Sequence, residues 1–276
     1  MNTIESGNLI LVPCDFTPLS YHAIEHGAYM AKDMKRRLVI LHIATNENNI
    51  QTAEKKLSFV AEECFDKFGI RPECAVRTGS RPYVTIKNTA SELNADVVVL
   101  KTGGVRGIKR YTGIRTIKIL SGTLTPFLVI QDRPENATLR NIVFPINFLK
   151  QHDKKLQRVV SFGQYYPDAL VHIITPSGKG ADKEKQISAN LKVMKKVLED
   201  QGIKVNFITH DKQKNQAENI LELSKEINAD IIMIQMEDVS TISKFLFGLR
   251  EEKLITNAHK IPVMCLNEQS EFKTRE

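Results

Sequence analysis

The sequence contains no run of eighteen apolar residues, so no membrane-spanning helix is expected. Met1 to Gly7 carries no basic residue, and no secretory signal peptide is expected either. Cysteine is sparse: Cys14, Cys64, Cys74 and Cys265 are scattered without paired metal-ligand spacing. They suit free thiols in a reducing cytoplasm better than a disulfide framework. A phosphate loop of the Gly-x-x-x-x-Gly-Lys-Ser type is missing. Sequence proximity assembles no Ser/His/Asp or Cys/His arrangement, and no paired carboxylates mark a strand end. An enzyme is therefore the weaker reading.

The chain has 276 residues, 42% of them hydrophobic and 26% charged. That suffices for one large domain or two ordinary ones, and it is too apolar for disorder. A soluble, cytoplasmic globular protein is expected, with no membrane partner. Lys plus Arg exceed Asp plus Glu by 39 to 32, a net charge of +7. The excess is spread over both halves, so nucleic acid is not an expected partner. One dense run stands out: Lys101, Arg106, Lys109, Arg110, Arg115 and Lys118 lie within eighteen residues that hold no acid. Composition alone leaves two readings of it open, a solvated helix face and an anion site.

The chain repeats itself. Leu9-Ile10-Leu11-Val12-Pro13-Cys14-Asp15-Phe16 is echoed by Asn141-Ile142-Val143-Phe144-Pro145-Ile146-Asn147-Phe148. The run ending His42-Ile43 returns as one ending His172-Ile173. Leu93-Asn94-Ala95-Asp96 with its apolar run returns as Ile227-Asn228-Ala229-Asp230, and Pro126-Phe127 to Ile130 as Pro262-Val263 to Leu266. Four matches in the same order, with offsets between 130 and 136, describe a tandem duplication. The polar stretch Asp132 to Thr138, holding Pro134, reads as the linker. This divides the chain into units 1–134 and 138–270.

Within the first copy, the apolar runs at 8–13, 37–43, 96–100 and 127–131 are continuous and β-branched, as strands buried on both faces are. Val76 and its neighbours read as a further strand. Tyr21 to Lys35, Ala53 to Phe68 and Arg81 to Leu93 carry apolar residues at helical spacing; Leu57, Val60, Ala61 and Cys64 share one face. Strand–helix alternation predicts an α/β fold, a mostly parallel sheet with helices on both faces. Ligands of such sheets bind beyond the carboxyl ends of the strands, where strand order reverses. That places interest on the loops after Val12, Ile43 and Leu100.

The loop after Val12 carries Asp15 at the start of a helix, where a carboxylate caps the helix or receives a ligand. The loop Lys101-Thr102-Gly103-Gly104-Val105-Arg106-Gly107 runs on toward Gly113. Adjacent glycines bring successive backbone N–H groups into a nest that suits phosphate.

Pro13-Cys14-Asp15-Phe16-Thr17 resembles the Pro-Thr-Asp-Phe-Ser opening of the universal stress protein family. The Asn-Ala-Asp strand, the glycine-rich loop and the Pro-led last strand are similar to that family's second half, and the resemblance spans nearly the whole chain as two tandem domains. It implies two flavodoxin- or Rossmann-like domains, each a mostly parallel five-stranded sheet. It also implies that they pair through their last strands, Phe127–Ile130 with Val263–Leu266. A homodimer and a further protein partner are left open.

Family members that bind ATP carry Gly, two residues, Gly, nine residues, then Gly followed by Ser or Thr. This chain departs from the pattern: Lys101 replaces the first glycine, and Gly104 or Gly103 stands for the second. Gly113 matches the third but is followed by Ile114, leaving Thr116 for a phosphate contact. By the same matching Pro13, Cys14, Asp15 and Ile43 lie around an adenine and ribose; separately, the basic run offers Lys101 and Arg106 as charge for a phosphate, with Gly107 in the same loop. In the second copy Asn147 replaces the aspartate and Gln235 and Asp238 the glycines, so no conventional triphosphate site is expected there.

His22-Ala23-Ile24-Glu25-His26 matches a His-x-x-Glu-His zinc pattern, but it sits in an ordinary packing helix and lacks a third ligand. No metal is expected beyond nucleotide-bound magnesium. His42 and His172 share a repeat position, which favours a structural role. Cys14 reads as redox-sensitive or as a small residue tucked under its loop. The leading expectation is a tandem universal stress protein, a non-catalytic binding or regulatory module with ATP or another adenine nucleotide in the first domain. The alternatives are a slow ATP hydrolase or nucleotidyl-transfer enzyme using the same loop, and a structural stress protein without a small ligand.

Overall fold

A computed structural model of the chain describes residues 4–102, 124–146, 152–177, 180–210, 216–236 and 253–266. The first half runs β1 (Leu9–Pro13), α1 (Pro18–Asp33), β2 (Arg37–Ala44), α2 (Ile50–Phe68), β3 (Glu73–Thr78), α3 (Pro82–Glu92), β4 (Val97–Lys101) and β5 (Phe127–Ile130). The second runs β6 (Asn141–Pro145), α4 (His152–Gly163), β7 (Leu170–Pro176), α5 (Ala181–Asp200), β8 (Lys204–His210), α6 (Gln216–Glu226), β9 (Ile231–Gln235) and β10 (Val263–Leu266). All ten strands join one sheet in the order β3-β2-β1-β4-β5-β10-β9-β6-β7-β8. Neighbours are parallel within each half. The α/β class and the mostly parallel five-stranded half-sheets are as the alternating pattern predicts.

The halves meet where their last strands run antiparallel, Val263 opposite Val129, Met264 opposite Leu128 and Cys265 opposite Phe127. Every residue of both strands is buried. Because the strands have two buried faces, alternate side chains feed two apolar layers. Ile10 and Val12 face α1 and α2 in a layer that continues through Phe144 to Phe162, Met194 and Leu198. Leu9 and Leu11 face α3, and their layer continues to Ala217 and Ile220 of α6. Each layer therefore crosses the boundary between halves.

Local signals in the repeat have a backbone cause. Asn94 and Asn228 stand just beyond α3 and α6 at φ 46° and 51°, a left-handed conformation that asparagine tolerates. The reversal lets Asp96 and Asp230 donate their N–H groups to Leu9 and Asn141, each at 2.9 Å, and start the next strand. Gly69 does the same after α2, at φ 67° with its N–H on the Phe65 carbonyl at 2.8 Å.

The stretch that reads as a polar linker is docked on both halves. The Thr138 hydroxyl donates to Asp33 of α1 at 2.9 Å, while Asn136 and the backbone of Arg140 and Asn141 donate to Asp230 at 2.6, 2.7 and 2.8 Å. Arg36, paired with buried Asp96 of its own half at 2.8 Å, reaches across the same boundary to donate to the Tyr165 hydroxyl at 2.9 Å.

Gly27 sets how closely α1 lies on the sheet. A Cβ there would fall 2.6 Å from Val12 Cγ2 and 3.2 Å from Leu38 Cδ1, both side chains of the fully packed core. At an exposed helix position Gly→Ala stabilises by about 1 kcal/mol. Here overpacking, worth roughly 1–3 kcal/mol, opposes that gain. Gly27→Ala is therefore expected to lower the urea midpoint; a raised midpoint would show that α1 lifts off the sheet at little cost.

Candidate functional site

Strand order reverses between β1 and β4, and of the sequence-selected residues Pro13, Cys14, Asp15 and Lys101 lie at their carboxyl ends. Cys14 extends the β1–β2 ladder by donating its N–H to the Leu41 carbonyl at 2.8 Å. The chain then turns at Phe16, which has φ 63°, and enters α1 at Thr17-Pro18. A left-handed conformation costs a bulky residue about 1–2 kcal/mol. Ring contacts hold it: the Phe16 ring lies 4.5 Å from that of His42, and the Lys56 ammonium sits 5.5 Å from its centroid. His42 in turn donates from Nδ1 to the Cys14 carbonyl at 2.8 Å, so β2 braces the loop.

The tight turn aims Asp15 at the β4 terminus. Its Oδ1 accepts the Thr17 N–H at 3.1 Å, the Thr17 hydroxyl at 2.7 Å, the Ser20 hydroxyl and the Lys101 ammonium. Lys101 also donates to the Thr17 hydroxyl. Ser20 closes the ring by accepting the Asp15 N–H at 3.1 Å. The Asp15 carboxylate is not the helix cap: Thr17 takes that position, without a side-chain cap bond, and Pro18 removes one free donor of the first turn. Burial opposes ionisation of Asp15, but Lys101, Ser20 and Thr17 outweigh it and hold the carboxyl well below the usual carboxylate range. Asp15 Oδ2 takes no bond from the described residues, and the side chain is 56% exposed, so one face of the carboxylate is open.

The other expected site residues separate into three groups. Pro13 ends β1 half-buried, beside the network. Cys14 is 3% exposed and its thiol is pushed up by burial, so it is a packed small residue and not a reactive thiolate. Ile43 packs with the opposite apolar layer and is not drawn into the network. Gly103, Gly104, Arg106, Gly107, Gly113 and Thr116 lie outside the described residues. Thr17 and Ser20 were not singled out from sequence; their signal was the Thr-Pro-x-Ser spacing at a helix start, which places both hydroxyls near the preceding acid.

The second half lacks this construction in its described part. Gln235 ends β9 where Lys101 ends β4, and Ile146 follows β6 where Cys14 follows β1. His172 meets Asn141 at 3.2 Å and Asn206 at 3.3 Å between strands, so the two repeat-equivalent histidines have different partners.

Residues 8–131 match the profile described as the Universal stress protein family. The first half of the chain is thus a domain of that family. No curated protein sequence matches the chain significantly. A solved universal stress protein from Archaeoglobus fulgidus DSM 4304 is 20% identical, with a TM-score of 0.70, covering 94% of this chain and 98% of its own. The cytoplasmic domain of a prokaryotic cation chloride cotransporter is 11% identical, with a TM-score of 0.58, covering 97% and 98%. A universal stress protein from Archaeoglobus fulgidus in complex with dAMP is 19% identical and covers 46% of this chain and 96% of its own, with a TM-score of 0.35. For the first two of these structures the likeness is one of fold, and function must be read from the site.

The His-x-x-Glu-His pattern is spread over packing contacts. His26 Nε2 donates to the Asp132 carbonyl at 3.1 Å, His22 Nδ1 lies 3.6 Å from the Asp132 carboxylate, and Glu25 faces Arg133 at 3.5 Å. Among the described residues no group of three or more His, Cys, Asp and Glu is placed to hold a metal. No helix among them is long and apolar enough to cross a membrane.

Burial lowers the His26 imidazole to about 4, against an ordinary value of 6.5. The folded state keeps it neutral, so its contribution is complete above pH 6.5 and is lost as pH falls toward 4. The full span is worth about 3 kcal/mol. Urea midpoints between pH 7 and 4 should fall less in His26→Gln than in the parent. Parallel curves would assign the acid sensitivity to other groups.

Proposed function

We propose that this universal stress protein acts by binding, with an adenine nucleotide held at the strand-end site of its first half. Residues 138–270 serve as the built-in partner of the domain at 1–134. The observation that carries the reading is the Asp15–Thr17–Ser20–Lys101 network at the switch point. Its open Asp15 Oδ2 suits a ribose hydroxyl or an exocyclic amine. The Lys101 ammonium has three protons, two of them engaged, and supplies charge to a phosphate where a backbone donor of the family pattern is missing.

The same network argues for binding over chemistry. A carboxylate held ionised by four donors is a weak proton acceptor near neutral pH. A thiol raised by burial is a poor nucleophile. ATP, ADP and AMP should each raise the melting temperature of the full chain, with magnesium affecting ATP most. A ligand at about a hundred times its dissociation constant adds roughly 2.7 kcal/mol of stability. Asp15→Ala should abolish the shift. Lys101→Ala combined with Arg106→Ala should weaken ATP more than adenosine. Failure of every nucleotide to shift melting would overturn the nucleotide reading, and protein-dependent ATP turnover would overturn the non-catalytic one.

A further inference from the structure

A cavity lies at the other end of α1. The last turn of α1, the linker, and the segments leading into β9 and β10 enclose a cavity of about 570 Å³ between the halves. Small-molecule pockets occupy roughly 300–1,000 Å³ and favour such boundaries. This cavity is remote from the Asp15 network, and no part of the nucleotide reading bears on it.

Two groups in it are left short of partners. Tyr166, just after α4, is 4% exposed and lines the cavity. Its hydroxyl has no hydrogen-bond partner among the described residues. A hydroxyl so placed can take a donor from a ligand that enters the cavity. Asp33 is the last residue of α1, where the helix dipole is negative and an acid is disfavoured. It is half-buried, and its one donor among the described residues is the Thr138 hydroxyl. Burial pushes the Asp33 carboxyl up, with Thr138 and Lys32 opposing the rise. Burial raises Tyr166 as well, with the Asp33 charge adding to it, so the two groups share one field.

The remaining charges of the wall are largely spent. Asp230 takes three donors, at least one on each oxygen, and Asp132 is taken by Lys260 and the Arg133 N–H. Carboxylates at Asp33, Asp132, Glu135 and Asp230 outnumber the cations Arg133 and Lys260, and His26 is neutral. The imidazole of His259 also lines the wall. The rest of the lining includes Tyr29, Met30 and Ile231, an apolar body for a ligand whose charged end meets Asp33.

We infer that this cavity binds a small organic amine, its ammonium donating to the Asp33 carboxylate and the Tyr166 hydroxyl oxygen and its carbon body lying against the apolar wall. The amine supplies a donor to the Tyr166 oxygen and, where Lys32 acts on Asp33 only through its field, a cation in direct contact with the carboxylate. Placing an acid at a helix carboxyl end, half-buried and singly bonded, works against stability and finds its compensation in that ligand.

The test uses the full chain with 2-phenylethylamine, 1,5-diaminopentane and, as an uncharged shape control, 2-phenylethanol. At millimolar concentration at least one amine should raise the melting temperature and saturate in calorimetric titration, and the alcohol should not. Asp33→Asn should weaken that amine at least about tenfold while melting, without ligand, at or above the parent temperature. If Asp33→Asn melts well below the parent, the isosteric Tyr166→Phe decides: a loss of about threefold or more supports the site, and unchanged affinity overturns it. Equal response to the alcohol, an amine response that survives Asp33→Asn, or no response to either amine would also overturn it.

Discussion

The antiparallel contact between β5 and β10 is the constraint on which the rest of this molecule depends. A five-stranded parallel half-sheet ending at Phe127–Ile130 would expose a row of unpaired backbone donors and acceptors on a wholly apolar strand, an aggregation hazard. The second half supplies the missing neighbour with the same kind of strand. The pairing also carries both apolar layers across the boundary, so neither half has a separate pair of cores. It brings the carboxyl end of β5 beside the entry to β10, which is why the linker, α1 and the β9 entry can enclose a cavity. The outermost strands are then β3 and β8. Both are dressed with charge, Glu73 and Arg77 on one and Lys204 on the other, which discourages further strand addition.

Much of this was legible in the residues themselves. Continuous β-branched runs do not alternate because both faces are buried, and Leu9 to Val12 are all fully buried in the structure. The β5–β10 pair was expected from the family resemblance, which the short Pro-led apolar strand ending each copy helps to carry. Boundaries were less so. α1 begins at Pro18 and not Tyr21, because a proline that reads as loop is also a favoured first helical residue. α2 begins three residues before Ala53, in a polar turn that apolar spacing does not mark.

The sites were legible only in part, for a reason of distance along the chain. Asp15 could be chosen from its place at a strand end. That its partner is Lys101, 86 residues away, is a property of β1 and β4 lying side by side. The same lysine was visible as a departure from the glycine pattern, but its meaning depends on the acid it meets. Asp33 and Tyr166 belong to no motif at all. One ends a helix and the other follows one, in different halves, and only the docked linker brings them to a common cavity.

The linker has a further consequence, in mass action. Two separate chains joined by the same four-residue strands would part on dilution, and each would need a complete edge to be recognised by its twin. Tethering fixes the local concentration of one half around the other at about the millimolar level or above, whatever the protein concentration. The ten-stranded sheet is thus insulated from expression level. Freed from matching an identical partner, each half can change alone: Lys101 with Gln235 and Cys14 with Ile146 are pairs that a symmetric dimer would be obliged to keep the same.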